Sequence, residues 1–154
     1  MLIIRKFQNG DELTLREIFF NTIRNVNIKD YSEVQVQAWA PDDYDQPEWY
    51  KRISAIDPFV AILNGEIVGY ADVQDDGYID HFFCHCKHQG KGIGKALIQT
   101  ITSTGRKESM DRLYCHASIT AKPFFEYFGF KEVKKQQVKI RGQVLTNYVL
   151  EKWL

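Results

Sequence analysis

No stretch of the chain is apolar over the ~18 residues that a membrane span requires. Cysteine is scarce and odd in number, with Cys84, Cys86 and Cys115 only. That is too little for a disulfide framework and suits a reducing cytoplasm. Proline occurs 4 times in 154 residues, and no low-complexity linker or internal repeat interrupts the chain. Neither sign of charge is in excess, because 20 Lys+Arg balance 20 Asp+Glu. The balance excludes a generally basic nucleic-acid binder and an acidic disordered tail. The opening Met1-Leu2-Ile3-Ile4-Arg5 reads at once as a strand and not as a signal peptide. A cytoplasmic protein, bound to neither membrane nor nucleic acid, is the expectation.

What is present is an ordinary globular composition, 44% hydrophobic and 26% charged. The length suits one domain over 1–154, and such a chain buries roughly two-thirds of its extended surface. The neutral total hides an asymmetry. Residues 1–77 carry 7 Lys/Arg against 14 Asp/Glu, and residues 78–154 carry 13 against 6, opposite nets of −7 and +7. Asp30, Glu33, Asp42, Asp43, Asp45 and Glu48 crowd one stretch. Charges simply evened out by the fold explain this plainly. The functional explanation is a positive site for an anionic cofactor beside a negative one for a cationic substrate.

The hydrophobic pattern predicts a strand over 2–7 and a helix over 11–24 with Leu15, Ile18, Phe19 and Ile23 as its apolar stripe. Short helices follow from Ser32 or Glu33 to Trp39 and over 47–55. A meander comes next: strand 58–63, the turn Asn64-Gly65, strand 67–73, the turn Asp75-Asp76-Gly77 and strand 78–84. A helix runs from Gly90–Gly94 to about Thr104, then a strand over 113–117. Ser118 caps a further helix that Gly129 stops, and strands near 130–140 and 143–152 close the chain. The expected class is α/β (α+β), a single mixed, twisted seven-stranded sheet flanked by about four helices.

Cys84-His85-Cys86-Lys87-His88 raises the question of zinc, but chelating cysteines are usually spaced two to four residues apart. No metal is expected. The sharper signal is Gln89-Gly90-Lys91-Gly92-Ile93-Gly94-Lys95 between a strand and a helix. Glycines let the backbone turn tightly, and a helix N-terminus adds unpaired N–H groups and a positive dipole end. This is an anion cradle suited to a pyrophosphate, with Lys91 and Lys95 close by. It lacks the Gly-x-x-x-x-Gly-Lys-Ser/Thr of a nucleotide-hydrolase loop and the Gly-x-Gly-x-x-Gly of a dinucleotide fold. A hairpin meander also precedes it, where a dinucleotide fold has a first parallel strand.

Gln89, Gly92 and Gly94 resemble motif A of the GCN5-related N-acetyltransferases (GNAT), Gln/Arg-x-x-Gly-x-Gly/Ala. Ala117 to Phe130 resembles motif B, which usually runs Asn-x-x-Ala…Tyr-x-x-x-Gly-Phe. Both stand in order, and the element order agrees over essentially the whole chain. The resemblance implies the acyl-CoA N-acyltransferase fold, whose fourth and fifth strands splay to admit acetyl-CoA. Pantetheine would run along 78–84, and the pyrophosphate would lie on the N–H groups of residues 89–95: Gln89, Gly90, Lys91, Gly92, Ile93, Gly94 and Lys95. A backbone N–H of Phe83 or Cys84 would hold the acetyl carbonyl and stabilise the oxyanion. Transfer to the amine would be direct, so no cysteine needs a catalytic role.

An alkyl ammonium near pKa ~10 must lose a proton before it attacks. Asp80 is the first candidate base, where some relatives carry a catalytic acidic residue, and His116 is the second. A regular strand would put Asp80 on one face with Tyr78, Phe82 and Cys84, and His81 on the other. Both Asp80 and His116 also have ordinary structural readings. The family pattern fails at two positions. Phe125 stands where many members have a general-acid tyrosine, and Ser118 replaces the usual Asn while still able to cap the helix and touch pantetheine. Tyr127 should point elsewhere, and Tyr148 lies on a strand that could border the acceptor.

The acceptor wall implied by the resemblance spans 25–49 and holds Asn27, Asp30, Tyr31 and Trp39, with Phe82 on the facing strand. Its acids would draw in a cationic small molecule or a peptide N-terminus. Dimerisation is common in such proteins, but no interface is identifiable, so a homodimer stays open. Two rivals remain. A non-catalytic acyl-CoA sensor or interaction domain would keep the cradle and lack the proton-transfer groups. A nucleic-acid module would use the positive half, but the chain lacks a basic–aromatic surface repeat.

Overall fold

The computed structural model describes residues 1–154. Strand β1 (Leu2–Lys6) leads into helix α1 (Glu12–Asn25). Short helices α2 (Glu33–Trp39) and α3 (Gln46–Ile56) follow, then strands β2 (Phe59–Leu63) and β3 (Glu66–Ala71). Ser32 starts α2 through a capping box with Gln35, and Asp45 starts α3 by accepting from the Glu48 N–H at 3.0 Å. Next come β4 (Tyr78–Ile79), β5 (Phe82–Cys84), α4 (Ile93–Lys107), β6 (Arg112–Ser118), α5 (Lys122–Tyr127), β7 (Lys131–Ile140) and β8 (Gln143–Trp153).

The strands form two four-stranded sheets, β1-β2-β3-β5 and β4-β6-β8-β7. This corrects the single seven-stranded sheet, and there are five α-helices instead of about four. The expected strand 78–84 is two strands, one in each sheet. The β4–β6 pairing is parallel, while β3–β5 is antiparallel. The chain therefore joins the sheets at 78–79 and leaves them diverging at 82–84.

Asp72 causes the break. Its Oδ1 accepts from the backbone N–H of both Asp80 (3.0 Å) and His81 (2.6 Å). Two successive amides turned toward one carboxylate cannot both follow the alternation of a regular ladder. As a result, Asp80 reaches Arg52 on α3, and His81 packs on Phe19 and on Trp49, also of α3. The opposite faces expected for Asp80 and His81 are not seen.

Asp72 is fully buried, and Gln74 Nε2 donates to its Oδ2 at 2.7 Å. Burial raises its pKa from 3.8 to about 6, against the pull of its hydrogen bonds. The folded chain thus holds this proton more tightly than the unfolded chain. The resulting stabilisation is present below about pH 4 and is lost as pH rises through about 6. Asp72→Ala, which strands two buried N–H groups, should destabilise the fold by about 2–4 kcal/mol in urea titration at pH 7. A loss of under about 0.5 kcal/mol, the range of an ordinary surface substitution, would show that Asp72 does not hold the break.

Two clusters fill the interior. Leu97, Ile98 and Ile101 of α4 pack with Leu113, Phe125 and Leu150. Leu15, Ile18 and Ile23 of α1 pack with Val36, Ile53 and Tyr70. The apolar stripe expected for α1 faces this second cluster.

Candidate active site

Between β5 and β6 lies a cavity of ≈ 1080 Å³. A typical small-ligand site has roughly 300–1,000 Å³, so two substrates can share this one. One wall begins at α4. Gly92 is its N-cap at φ +80°, a left-handed conformation that favours glycine. The first intrahelical bond runs from Ala96 N–H to the Gly92 carbonyl at 3.1 Å, so the N–H groups of Ile93, Gly94 and Lys95 have no partner in the chain. At Gly94 a Cβ would meet the Phe124 ring at 2.8 Å, so glycine is required for α4 to approach α5. An anion fits these free donors.

β5 lies beside α4 on the same side of the cavity, since a Cβ at Gly94 would be 3.6 Å from Cys84 Sγ. Hydrogen bonds join Asp72 to His81 and His85 to Val68 across the ladder, and antiparallel bonded and non-bonded pairs alternate. The Gly69–Cys84 pair is therefore non-bonded, and the Cys84 N–H and C=O point away from β3 into the gap. Thr22 Oγ1 and Gln89 Nε2 both donate to the Cys84 carbonyl at 2.9 Å. These bonds tie α1 and the cradle to β5 and leave the Cys84 N–H as a donor facing the cavity. Between the two alternatives, Phe83 and Cys84, the register selects Cys84. Phe83 turns to the other cluster, against Phe19 and Tyr70.

Asp80 and His116 both line the cavity. Arg52 Nη2 donates to both Asp80 oxygens, at 3.1 and 3.3 Å. His116 stands edge-on to Tyr78 at 5.3 Å. Burial pulls its pKa below the usual value, Asp80 opposes this, and Lys134 assists it. His81 is buried, with Nδ1 at 2.9 Å from the Tyr70 hydroxyl, and burial keeps its ring neutral. Burial also pushes the Cys84 and Cys115 thiols up to about 12, so neither is a ready nucleophile.

Phe125 is buried among Phe82, Phe124 and Phe130. Tyr127 is 83% exposed and points away, as its helical offset implies. Ser118 Oγ accepts from Asn27 Nδ2 (3.2 Å) and from the Ala121 N–H (3.0 Å), which leaves its own O–H free to donate. It caps the turn just before α5.

Gln89, Gly90, Gly92, Ile93, Gly94, Lys95, Asn27, Tyr31, Trp39 and Phe82 also line the cavity, whereas Lys91, Asp30 and Tyr148 do not. Asp30 and Lys91 are exposed. Tyr148 lies beneath Lys122, whose Nζ is 4.4 Å from the ring centre. The Tyr31 hydroxyl is committed, donating to the Thr146 carbonyl (2.7 Å) and accepting from the Ile119 N–H (2.9 Å). The acidic stretch is partly used locally, since Asp42 pairs with Arg24 and Asp45 caps α3. Asp72, Thr22, Arg16 and Arg52 were not foreseen from the sequence. No group of three or more His, Cys, Asp or Glu side chains could hold a metal ion, and no helix is long and apolar enough to cross a membrane.

Two sheets parting over a gap, with an anion cradle and a free strand amide both facing it, define the acyl-CoA N-acyltransferase class of fold. The family described as Acetyltransferase (GNAT) domain matches residues 27–152. The uncharacterized N-acetyltransferase YafP of Escherichia coli K12 is 34% identical over 147 residues, covering 96% of this chain and 93% of that protein. A GCN5-related N-acetyltransferase structure from Rhodopseudomonas palustris superposes with a TM-score of 0.94 at 28% identity, over 99% of this chain and 95% of the other. The structure of yncA from Salmonella typhimurium, a putative acetyltransferase with its cofactor acetyl-CoA, gives 0.72 at 18% identity, over 100% and 94%. The chain belongs to the GNAT acetyltransferases.

Proposed function

We propose that residues 1–154 act as a single catalytic domain that moves acetyl directly from acetyl-CoA to a primary amine of a small molecule or peptide. The observation that carries this reading is the pair of neighbouring donor sets facing one cavity, the Cys84 N–H on β5 and the Ile93–Lys95 N–H groups at the start of α4. When bound, acetyl-CoA supplies the thioester. The α4 N–H groups and Lys95 hold its pyrophosphate, and the Cys84 N–H donates to the acetyl oxygen as negative charge develops there. Phe82, Phe124 and Phe125 keep water from that end of the gap. Asp80 accepts the proton the amine must lose, directly or through one water, while Arg52 fixes the carboxylate in place. The new bond is amine nitrogen to acetyl carbon, and the bond broken is carbon to sulfur. The nitrogen's second proton passes to solvent as the intermediate collapses, and the departing thiolate takes its proton from water, because Phe125 has none to give; the free Ser118 hydroxyl can offer a hydrogen bond but not a proton.

Phe125 in the tyrosine position favours one rival, a non-catalytic acyl-CoA sensor. Incubation with acetyl-CoA and an amine panel, followed by thiol assay, separates the two. The expected result is amine-dependent release of free thiol. Tight acetyl-CoA binding without release across the panel would establish the sensor.

A further inference from the structure

The acceptor end of the cavity contains a buried cation without a counter-charge. Arg16 lines the cavity with 8% of its surface exposed and takes part in no ion pair. Its guanidinium lies over three aromatic rings, 4.1 Å from Tyr44, 5.1 Å from Phe19 and 5.3 Å from Trp49. Only Nη2 is hydrogen-bonded, donating to the Pro41 carbonyl at 2.9 Å. Nε and Nη1 have no partner in the chain and are not fully shielded from solvent, and Arg16 is one of the residues that line the cavity.

The surroundings add to the positive charge. Arg141, from the β7–β8 turn, lines the same cavity and is anchored by donating to the Ala38 carbonyl at 2.8 Å. Arg141 and Arg24 both act on Arg16 as like charges. The acids Asp43, Asp45 and Glu48 are exposed at the rim, and none pairs with Arg16. Aromatic faces offset part of the cost of burying a cation, but an unpaired buried charge is expensive unless a ligand completes it. A guanidinium with free donors is shaped for a carboxylate.

The location also fits. The Phe19 ring lies 5.1 Å from the Arg16 guanidinium, 5.7 Å from the His81 ring and 5.1 Å from the Phe83 ring. Those residues belong to the segment that carries Asp80 and Cys84. Phe19 therefore links the cation to the segment of the reacting end, and Arg16, Asp80 and Cys84 all line the same cavity.

We propose that the acceptor is an amine that also bears a carboxylate, a free amino acid or close analogue, and that Arg16 binds the carboxylate with Arg141 as a second cation. This rests on the acetyl-transfer reading of the same cavity. It reverses the sign of acceptor charge that the acidic stretch suggests, because those acids are exposed at the rim and the buried charge is positive.

The test compares free amino acids with their own carboxamides in the thiol-release assay. The carboxamide's amine is the less basic of the two, so amine reactivity alone favours the amide. Wild-type protein should favour the acid by about 10–100-fold in kcat/KM, the range of a charge-assisted hydrogen bond. Arg16→Met should remove that preference by raising KM for the acid, leaving the amide within about threefold. If Arg16→Met does not fold, Arg16→Lys keeps a cation over the rings but loses the fork, and should raise KM for the acid selectively. Equal wild-type rates on acid and amide, or parallel losses on both in the variants, would overturn the proposal and leave Arg16 a packing residue. Absence of thiol release with any amine would instead refute the transfer reading itself.

Discussion

Asp80→Asn should lower kcat/KM by about 10²–10⁴-fold, the usual contribution of a positioned proton acceptor, with the largest deficit at low pH. The substitution keeps the side chain's shape and one oxygen for Arg52 Nη2, now 3.1 Å from Oδ2. The backbone N–H of Asp80 still donates to Asp72. The break between β4 and β5 should therefore survive, and acetyl-CoA affinity should change less than about threefold. A loss of activity with intact cofactor binding is the signature of a proton-transfer group. His116→Gln is the companion variant. His116 lines the same cavity and is held neutral near pH 7 by partial burial, so it can also accept a proton. If Asp80 is the acceptor, His116→Gln costs under about tenfold. The reverse order of losses in the pH–rate profiles would make His116 the acceptor.

Gly92→Glu should weaken acetyl-CoA binding at least about 100-fold by calorimetry. Gly92 is the N-cap of α4 and stands beside its free N–H groups. A carboxylate there competes for the donors and repels a pyrophosphate. No atom lies within 4 Å of a Cβ built at this position, so the chain can still fold. The backbone at φ +80° adds strain of about 1 kcal/mol for a non-glycine residue. Gly92→Ala carries the same strain without the charge, so the difference between the two variants isolates the electrostatic effect. Unchanged affinity in a folded Gly92→Glu protein would remove residues 89–95 from the cofactor site.

The cradle was legible in the sequence because its cause is local. Gly90, Gly92 and Gly94 at a strand-to-helix junction dictate a tight turn and exposed N–H groups whatever surrounds them. Most helices and the final hairpin were legible for the same reason, through apolar periodicity and the turn at Arg141-Gly142. The break inside 78–84 was not, because it depends on Asp72 across a hairpin. Alternation in a strand says which face a residue takes only while the ladder is regular. With the break came the division into two sheets and the side that Asp80 takes.

The choice of Cys84 over Phe83 needed the pairing register, which a single strand does not reveal. Tyr148 is a strand aromatic whose setting under Lys122 depends on α5. Arg16 carried a readable signal, since it shares the buried face of α1 with Phe19 and Ile23 at helical spacing. A cation on an apolar stripe marks either a snorkelling side chain or a ligand site. The aromatic slot formed by Tyr44 and Trp49 appears only in the folded chain.

The most direct test is an acetyl-CoA titration followed by backbone amide NMR. The N–H signals of Cys84 and of Ile93, Gly94 and Lys95 should shift together and saturate at one affinity. They face one cavity from adjacent elements, β5 and the start of α4, and a ligand lying along both must engage both. Saturable binding that leaves these four amides unmoved, while others shift, would contradict the placement of the acetyl-transfer site along β5 and the start of α4.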